Sequence, residues 1–275
     1  MEKAQPAPDS PGRSYTIKSL AKALSVLELL AEGDESAYTL TQLSRDLHLH
    51  ISTVHRLLAN LLRHGFVQEA PGSRGYQQGY KVLSMGLRVL ARLDFRRVAE
   101  PLLRQLSEVT GETVGLAVLQ GTKAVLIDKY VSPPATDLEV GLGEVMPFHA
   151  TAVGKTLLAF QTREIFEQIT HTTRFRRFTP RTIANLAMLK KDLNNLRVEG
   201  YALDQEEFRQ GISSIAAPLF DHTKRVIAAF SVTGVAANLA PPRLPQVVGQ
   251  VRTTGQQISF RLGYERSADR QVGSR

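Results

Sequence analysis

Three short segments with helical periodicity, followed by two short extended segments, fill the first third of this 275-residue chain. The first segment has an apolar stripe at Leu20, Leu24, Leu27 and Leu30. The second begins at Thr39, which forms a capping-box pattern with Gln42. The third has its apolar face at Val54, Leu57, Leu58, Leu61 and Leu62. The extended segments "FVQEA" and "YQQGYKV" are joined by the turn "PGSRG", as in a hairpin. This order restricts the first third to a small unit of three helices and a hairpin.

The third helical segment has the polar composition of a DNA-contacting helix. Three helices followed by a hairpin are the order of a winged helix-turn-helix, whose recognition helix enters the major groove. Residues 51–66 contain no Asp or Glu. The hydrogen-bonding side chains off the apolar face, which we expect to contact DNA, are Ser52, Thr53, His55, Arg56 and Asn60. Arg74 at the hairpin tip is expected to reach a phosphate or the minor groove. The alternatives are a solvated helix face and a solvated loop arginine.

The net charge of +8 permits binding to a polyanion, but it does not show which part of the chain would bind it. Residues 1–80 carry eight basic and eight acidic residues, whereas residues 81–104 carry six basic and two acidic ones. Residues 83–98 are predicted to form a linker helix whose polar side carries Arg88, Arg92, Arg96 and Arg97. We expect this helix to pack against a second copy of the chain. The arginines then either lie near DNA or keep the face soluble, and Pro101 marks the first turn of a new helix or a kink.

The rest of the chain is predicted to be an α+β domain over residues 99–265, after a winged helix-turn-helix over residues 15–82. Residues 1–14, rich in Pro, Ser and Gly, and the polar residues 266–275 are expected to be flexible tails. The chain has no cysteine, no apolar leader pattern and no apolar run long enough for a bilayer. We therefore expect a soluble cytoplasmic protein without disulfides and without membrane contact.

The stretch "HATAVGKTLLAF", residues 149–160, contains the Gly-Lys-Thr that ends a phosphate-binding loop. Such a loop needs another glycine five residues before this one, so that backbone N–H groups can surround the phosphates. His149 stands there, and the β-branched Thr151 and Val153 disfavour the required turns. The sequence thus argues against ATP or GTP hydrolysis. It predicts a helix starting near Thr151, whose free N–H groups suit a carboxylate, with Lys155 exposed.

Two further groups of residues allow chemical interpretations. His149 is a candidate general base, but no G-x-S-x-G elbow accompanies it, so a structural role is favoured. Asp204, Glu206 and Glu207 allow a metal or an acid/base role. Alternatively they are solvated or paired with basic neighbours such as Arg209. We favour an arrangement in which one of these acids points into a pocket as a hydrogen-bonding group.

Both halves of the chain resemble one family, the IclR-type bacterial transcriptional regulators. The first match is "LSRDLHLHISTVHRLLANLLRHGFV" followed by "GYQQGYKVLSMG". The second consists of "MPFHATAVGKTLLA" and "YALDQEEFRQGISSIAAPLFDHTKRVIAAFSVTG". The resemblance covers roughly residues 15–262, and its two matches stand in the family's order. It implies a winged helix-turn-helix joined by a linker helix to a GAF-like α/β effector-binding domain.

The resemblance also implies a function. A small-molecule effector, an organic acid or an aromatic catabolite, would control binding to a double-stranded DNA operator by a homodimer or homotetramer. Carried over by position, the effector-binding residues are Met146, Ala152, Val153, Asp204, Ser214, Ser231 and Thr233. Asp204 has three open roles beside a carboxylate: it is protonated, it holds a ligand hydroxyl, or it holds a loop. Because cysteine is absent, no metal is expected; no cofactor and no catalytic residue are expected either.

Two other hypotheses stand beside the regulator. The first is a hydrolase or metal-dependent enzyme that uses His149 with Asp204 or Glu206. The second is a dimerising adaptor that binds no ligand. Turnover of an ester or phosphate substrate would favour the enzyme, and failure to bind carboxylic acids would favour the adaptor.

Overall fold

The structure is a computed structural model that describes residues 17–32, 35–91, 93–131, 133 and 141–265. The chain divides into two units, residues 1–92 and residues 93–275, each with its own core. The two expected tails, Arg92 of the basic cluster and part of the extended stretch predicted before Met146 lie outside the described residues. Within the described ranges, no helix is both long and apolar enough to cross a bilayer.

The first unit has the predicted order of elements. These are α1 (Lys18–Glu32), α2 (Leu40–Asp46), α3 (Ile51–Arg63), β1 (Val67–Glu69), β2 (Tyr76–Gln78) and α4 (Tyr80–Ala91). The capping box is confirmed, because the Thr39 hydroxyl accepts from the Gln42 amide and the Gln42 side chain accepts from the Thr39 amide at 2.8 Å. Strands β1 and β2 pair antiparallel as a hairpin. Residues 80–82, predicted as extended, instead form the first turn of α4.

The core of the first unit forms where the three helices meet the hairpin. Its buried side chains are Val26, Tyr38, Leu43, Val54, Leu58 and Val67. The apolar face predicted for α3 is confirmed, but the stripe predicted for α1 is only partly buried. Leu20 and Leu24 are 54% and 50% exposed, whereas Val26 is fully buried. The difference arises because the first turns of α1 are left uncovered by the described residues of this unit.

The second unit consists of one antiparallel sheet with helices on both faces. Its elements are α5 (Asp94–Thr110), β3 (Thr113–Gln120), β4 (Lys123–Tyr130), β5 (Val145–Met146), α6 (Ala152–Ala159), α7 (Arg163–Thr172), α8 (Leu186–Glu199), β6 (Ala202–Gln205), β7 (Ile212–Phe220), β8 (Val226–Val235) and α9 (Leu244–Arg261). The six strands pair in the order β5-β4-β3-β8-β7-β6, and every pairing is antiparallel. The predicted fold class, with a helix-turn-helix before an α/β domain, is confirmed.

Two helices begin elsewhere than the sequence pattern predicts. Pro101, expected to mark the first turn of a new helix or a kink, lies inside α5, which begins at Asp94. An acidic residue in the first turn suits the positive end of the helix dipole. Helix α8 begins after Asn185, whose side chain accepts from the Met188 amide at 2.9 Å. The helical pattern of residues 182–199 predicts a start at Thr182, but Thr182 instead donates its hydroxyl hydrogen to the carbonyl of Glu207 at 2.6 Å.

Strand alternation assigns the two faces of the sheet to two cores. On β8, Phe230 and Val232 pack in the cluster with helices α5 and α9. Ala229, directly before Phe230, faces the other cluster, which contains Leu157 of α6 and Leu193 of α8. Because successive side chains on a strand point to opposite faces, positions 231 and 233 lie on the α6 face. The polar residues of β8 are therefore placed beside α6.

Gly154 is required by the close approach of α6 to the segment before it. A Cβ atom at Gly154 would lie 2.6 Å from the carbonyl oxygen of Pro147 and 2.9 Å from the Cα atom of Phe148. Both of these are backbone atoms, which cannot move aside as a flexible side chain can. The glycine of the Gly-Lys-Thr sequence thus serves packing within this unit.

Gly154→Ala should therefore lower the free energy of unfolding by about 1–3 kcal/mol, as expected for overpacking a tight core. The matched control is Gly249→Ala in α9, where an added Cβ meets no atom within 4 Å. That change should leave stability equal or raise it by up to about 1 kcal/mol, since alanine favours a helix. Circular dichroism in a urea gradient would compare the two variants. A Gly154→Ala protein as stable as the parent would contradict the packing argument.

Candidate functional site

The residues predicted to contact DNA lie mostly on the surface of the first unit. Ser52, His55, Arg56 and Asn60 on α3 and Arg74 in the turn between β1 and β2 are exposed, and Thr53 is half-buried. His50 caps α3, because its Nδ1 accepts from the Ser52 amide at 3.4 Å and lies 2.8 Å from the Ser52 hydroxyl. The Asn60 side chain donates to the Arg56 carbonyl at 2.8 Å. This exposure is what contact with a duplex requires, and the contacts themselves remain a prediction.

All seven residues predicted to bind an effector line a single cavity of the second unit. The cavity has about 660 Å³ of free space, including its open mouth, but only about 60 Å³ of it admits the centre of a water-sized sphere. The pocket is therefore narrow. The other lining residues are Thr113, Gly115, Leu126, Lys129, Thr151, Phe208, Arg209 and Ile212. Their location makes the predicted residues one site, and their contact with an effector is a proposal developed below.

A row of polar residues crosses four strands of the sheet at this pocket. The register pairs Thr113 with Thr233, Thr233 with Ser214, and Ser214 with Asp204. Paired residues of neighbouring strands project to the same face, with Cβ atoms about 5 Å apart. The sheet thus brings together side chains that belong to four separate segments of the sequence.

The hydroxyl groups in this row hydrogen-bond to one another. The Thr233 hydroxyl donates to the Ser214 hydroxyl at 3.0 Å, and the Ser231 hydroxyl lies 3.3 Å from that of Thr233. A hydroxyl has one hydrogen and two lone pairs, so these three hydrogen-bonded hydroxyls can still form further hydrogen bonds. The alternative, that these hydroxyls serve only nearby backbone groups, does not describe the observed contacts.

The start of α6 forms another wall of the pocket. Thr151 is its N-cap: the hydroxyl accepts from the Gly154 amide at 3.1 Å and donates to the Pro147 carbonyl at 2.8 Å. The backbone N–H groups of Ala152 and Val153 have no partner among the described residues, although these residues are 1% and 3% exposed. Buried N–H groups are rarely left unpaired, and the start of a helix favours an anion.

Asp204 is a buried acid that holds a loop. Its Oδ1 accepts from the amide of Glu207 at 2.7 Å and from the amide of Phe208 at 3.4 Å. Burial raises the pKa of Asp204 to about 7, while these two amides and the charge of Lys155 act in the opposite direction. Near neutral pH the carboxyl is therefore part protonated. Two of the three roles left open by the sequence, the loop contact and the protonated acid, thus apply together.

The neighbouring acids pair with bases that the sequence did not indicate. Glu206 pairs with Arg181 at 2.7 Å, and Glu207 pairs with Lys155 at 2.9 Å. Arg209, the expected partner, pairs with no described residue and lines the pocket half-buried. Arg209 is the functional candidate that sequence reasoning missed, because a basic residue after three acids looks already neutralised.

The expectation that Lys155 is exposed is wrong. Its side chain is fully buried, and its ammonium contacts Glu207 and Asp192, each at 2.9 Å, and the carbonyl oxygen of Leu203. Burial alone would lower the pKa of Lys155, but the two carboxylates outweigh it and raise the pKa above its ordinary value. The lysine is buried because α6 is enclosed on all sides by its own unit.

His149 has the surroundings of a structural residue. Its Nε2 lies 2.9 Å from the carbonyl oxygen of Arg176, and its ring lies between Phe175 and Phe178, with centroids at 5.3 and 5.8 Å. It is absent from the lining of the pocket that holds Asp204. Within the described part of the chain, no three His, Cys, Asp or Glu residues are grouped so that they could hold a metal ion.

Both units match the domains of one protein family. Residues 19–71 match the IclR helix-turn-helix domain, and residues 87–260 match the family described as bacterial transcriptional regulator IclR C-terminal. The HTH-type transcriptional regulator XynR of Escherichia coli is 34% identical over 248 residues, covering 90% of this chain and 98% of that protein. The HTH-type transcriptional regulator KdgR of Escherichia coli is 32% identical over 249 residues, covering 90% and 94%.

Solved structures agree with this match. A putative IclR transcriptional regulator from Silicibacter sp. TM1040 superposes with a TM-score of 0.78 at 28% identity, covering 90% of this chain and 97% of that one. An IclR homologue from Microbacterium hydrocarbonoxydans, solved with 4-hydroxybenzoate, gives a TM-score of 0.76 at 24% identity, covering 89% and 98%. At that identity the second likeness concerns the fold alone.

Replacement of Asp204 should change how stability depends on pH. Because its pKa is raised in the folded state, the parent loses stability as pH rises from the ordinary carboxyl pKa towards about 7. Asp204→Asn keeps an oxygen acceptor for the loop amides and removes the titration. The variant should therefore gain on the order of 2–3 kcal/mol relative to the parent between pH 5 and pH 8.

Urea unfolding at the two pH values would measure this gain, with the exposed Asp94→Asn as the control. The control should show no such pH-dependent gain. An Asp204→Asn protein whose stability relative to the parent is the same at both pH values would contradict the raised pKa.

Proposed function

Because this chain belongs to the IclR family of bacterial transcriptional regulators, we propose that a small carboxylic acid binds in the pocket of its second unit and controls its hold on DNA. The helix-turn-helix is the DNA-binding domain, and the C-terminal domain is the effector-binding domain. The choice of a carboxylic acid depends above all on one observation: the backbone N–H groups of the buried residues Ala152 and Val153 have no partner in the described part of the chain.

The chemistry around these amides supports a carboxylate. They lie at the positive end of the α6 dipole, where a negative group is stabilised. Arg209 adds a guanidinium that is free to form a charge-assisted hydrogen bond. The hydroxyls of Ser214 and Thr233 offer further hydrogen bonds. Among the described residues that line the pocket, the one acidic side chain is that of Asp204, which is part protonated near neutral pH.

The remaining lining indicates the body of the ligand. Leu126, Met146, Phe208 and Ile212 present apolar surface to the same cavity. An acid with a compact hydrocarbon or aromatic body buries that surface and keeps its carboxylate at the start of α6. An organic acid or an aromatic catabolite has both properties. Because Asp204 becomes charged above pH 7, such an anion should bind more tightly below that pH.

The proposed control acts through pairs of chains. The side chains of Tyr80, Leu83 and Leu87 on α4 are 76%, 56% and 56% exposed, an unusual proportion for an apolar helix face. We propose that a second copy covers this face in a homodimer, and that dimers pair into a homotetramer. An effector shifts the arrangement of paired DNA-binding domains only if it binds one arrangement more tightly. We propose a cytoplasmic location, because a protein that binds operator DNA in a bacterium must be in the cytoplasm.

Binding without turnover is part of the proposal. His149, the candidate base, is enclosed by Phe175 and Phe178 and is not among the residues that line the pocket. Asp204 is occupied by loop amides. An enzyme of the hydrolase type would need a base that reaches the bound molecule.

Arg56→Ala should weaken binding to the operator by about 1–3 kcal/mol if Arg56 contacts a base, because a bidentate base contact contributes about that much. Binding to unrelated DNA should change much less. Mobility shifts on the DNA upstream of the gene would measure both affinities, with Arg261→Ala in α9 as a control that removes one positive charge from the other unit. Equal losses on both DNAs would assign Arg56 to a phosphate instead.

Arg209→Met should weaken the binding of a carboxylic acid by about 10- to 100-fold, the effect of losing a charge-assisted hydrogen bond. Calorimetry with benzoate, 4-hydroxybenzoate and succinate would measure it, beside the corresponding methyl esters. Arg177→Met, an exposed arginine outside the pocket, is the matched control. Esters that bind as well as acids would overturn the carboxylate assignment, and an unchanged affinity in Arg209→Met would remove Arg209 from the site.

A further inference from the structure

Lys155 uses its whole hydrogen-bonding capacity inside the protein. An ammonium has three N–H donors and no acceptor. In this structure they contact Glu207 at 2.9 Å, Asp192 of α8 at 2.9 Å and the carbonyl oxygen of Leu203 in β6. The side chain is fully buried, so that these three contacts replace water. Burying a lysine this way is unfavourable unless the geometry is well satisfied.

Two of the three contacts flank Asp204. Leu203 precedes Asp204 in β6. Glu207 follows it in the loop, and the Glu207 backbone amide donates to the Asp204 carboxyl at 2.7 Å. Lys155 itself stands only two residues after Val153, in the same helix whose first amides face the pocket. One ammonium thus joins the two polar ends of the pocket: the start of α6 and the segment that carries Asp204.

We propose that Lys155 is a positioning residue of the effector pocket, which holds the Asp204 segment against α6 and sets the charge that a bound acid meets. This inference rests on the proposed effector-binding function. Lys155 does not line the pocket, so it acts through Asp204 and through the placement of the loop amides. A purely structural ion pair would hold the fold without setting the charge of Asp204.

The charges near Asp204 come from several elements. Lys155 on α6 favours its charged form, whereas Glu207 in the loop favours its neutral form. Asp192 on α8 acts by sharing the ammonium of Lys155, and the charge of Glu206 is paired with Arg181. Two basic residues, Lys129 and Arg209, face the same cavity. The charges of Lys155 and Glu207 thus have opposite effects on the pKa of Asp204.

This opposition gives a test that needs no effector. The full-length protein, labelled with ¹³C at the aspartate carboxyl groups, is titrated by NMR. Lys155→Met should raise the pH at the midpoint of the Asp204 titration by about one unit, as expected for the loss of a nearby positive charge. Glu207→Gln keeps a hydrogen-bond acceptor for Lys155 and should lower the midpoint. Lys191→Met, an exposed lysine of α8, should leave it unchanged.

Opposite shifts in the two variants would support the proposal, because a loosened core would move both midpoints in one direction. Shifts of the same sign, or no shift in Lys155→Met, would overturn it. If Lys155→Met does not fold, Lys155→Gln replaces it, because glutamine removes the charge and keeps a hydrogen-bond donor. A raised Asp204 midpoint in that variant supports the proposal, and an unchanged or lowered one overturns it. Hydrogen exchange should also show faster exchange of the Glu207 and Phe208 amides in Lys155→Met than in Lys191→Met.

Calorimetry with 4-hydroxybenzoate at pH 6 and pH 8 separates this inference from the function it rests on. If the parent binds none of benzoate, 4-hydroxybenzoate and succinate, the proposal of a carboxylic acid ligand is overturned. The NMR titration still tests whether Lys155 sets the charge of Asp204. If the parent binds 4-hydroxybenzoate, its affinity should fall at a higher pH in Lys155→Met than in the parent. The difference in pH should equal the shift in the titration midpoint of Asp204. An affinity profile that stays in place despite a shifted midpoint would overturn the positioning role.

Discussion

Every pair of neighbouring strands in the six-stranded sheet is antiparallel, so that paired residues project to the same face. This register aligns Thr113, Thr233, Ser214 and Asp204, and it does so on the face that packs against α6. The row lies beside the start of the helix, where backbone N–H groups are free, and the apolar turns of α6 cover the rest of that face. The position and the polarity of the pocket both follow from the register.

Electrostatics in the pocket depend on how much water is excluded. Asp204 is buried, and its raised pKa places it near the point where a small change in surroundings changes its charge. Lys155 is buried as well, yet two carboxylates keep it charged. A ligand anion placed at the start of α6 enters this balance directly, which links the occupancy of the pocket to the loop that Asp204 holds.

The two units place their functional groups in different ways. In the first unit the residues predicted to contact DNA belong mainly to one helix, and local caps at Thr39 and His50 set where α2 and α3 begin. In the second unit the site is assembled from strands, a helix start and a loop that are distant along the chain. Local contacts therefore position the first surface, and long-range pairing positions the second.

The sequence by itself indicated most of the helices, the hairpin and the α+β class, because periodicity and capping patterns are local properties of the chain. The family resemblance selected seven of the fifteen residues that line the pocket. The tertiary structure alone decided that Lys155 is buried, that Arg209 pairs with none of the described residues and that Leu20 is exposed. Whether a charged side chain meets water or a carboxylate depends on which distant segments pack around it. Residue type and spacing do not carry that information, since the same lysine on a helix suits either environment.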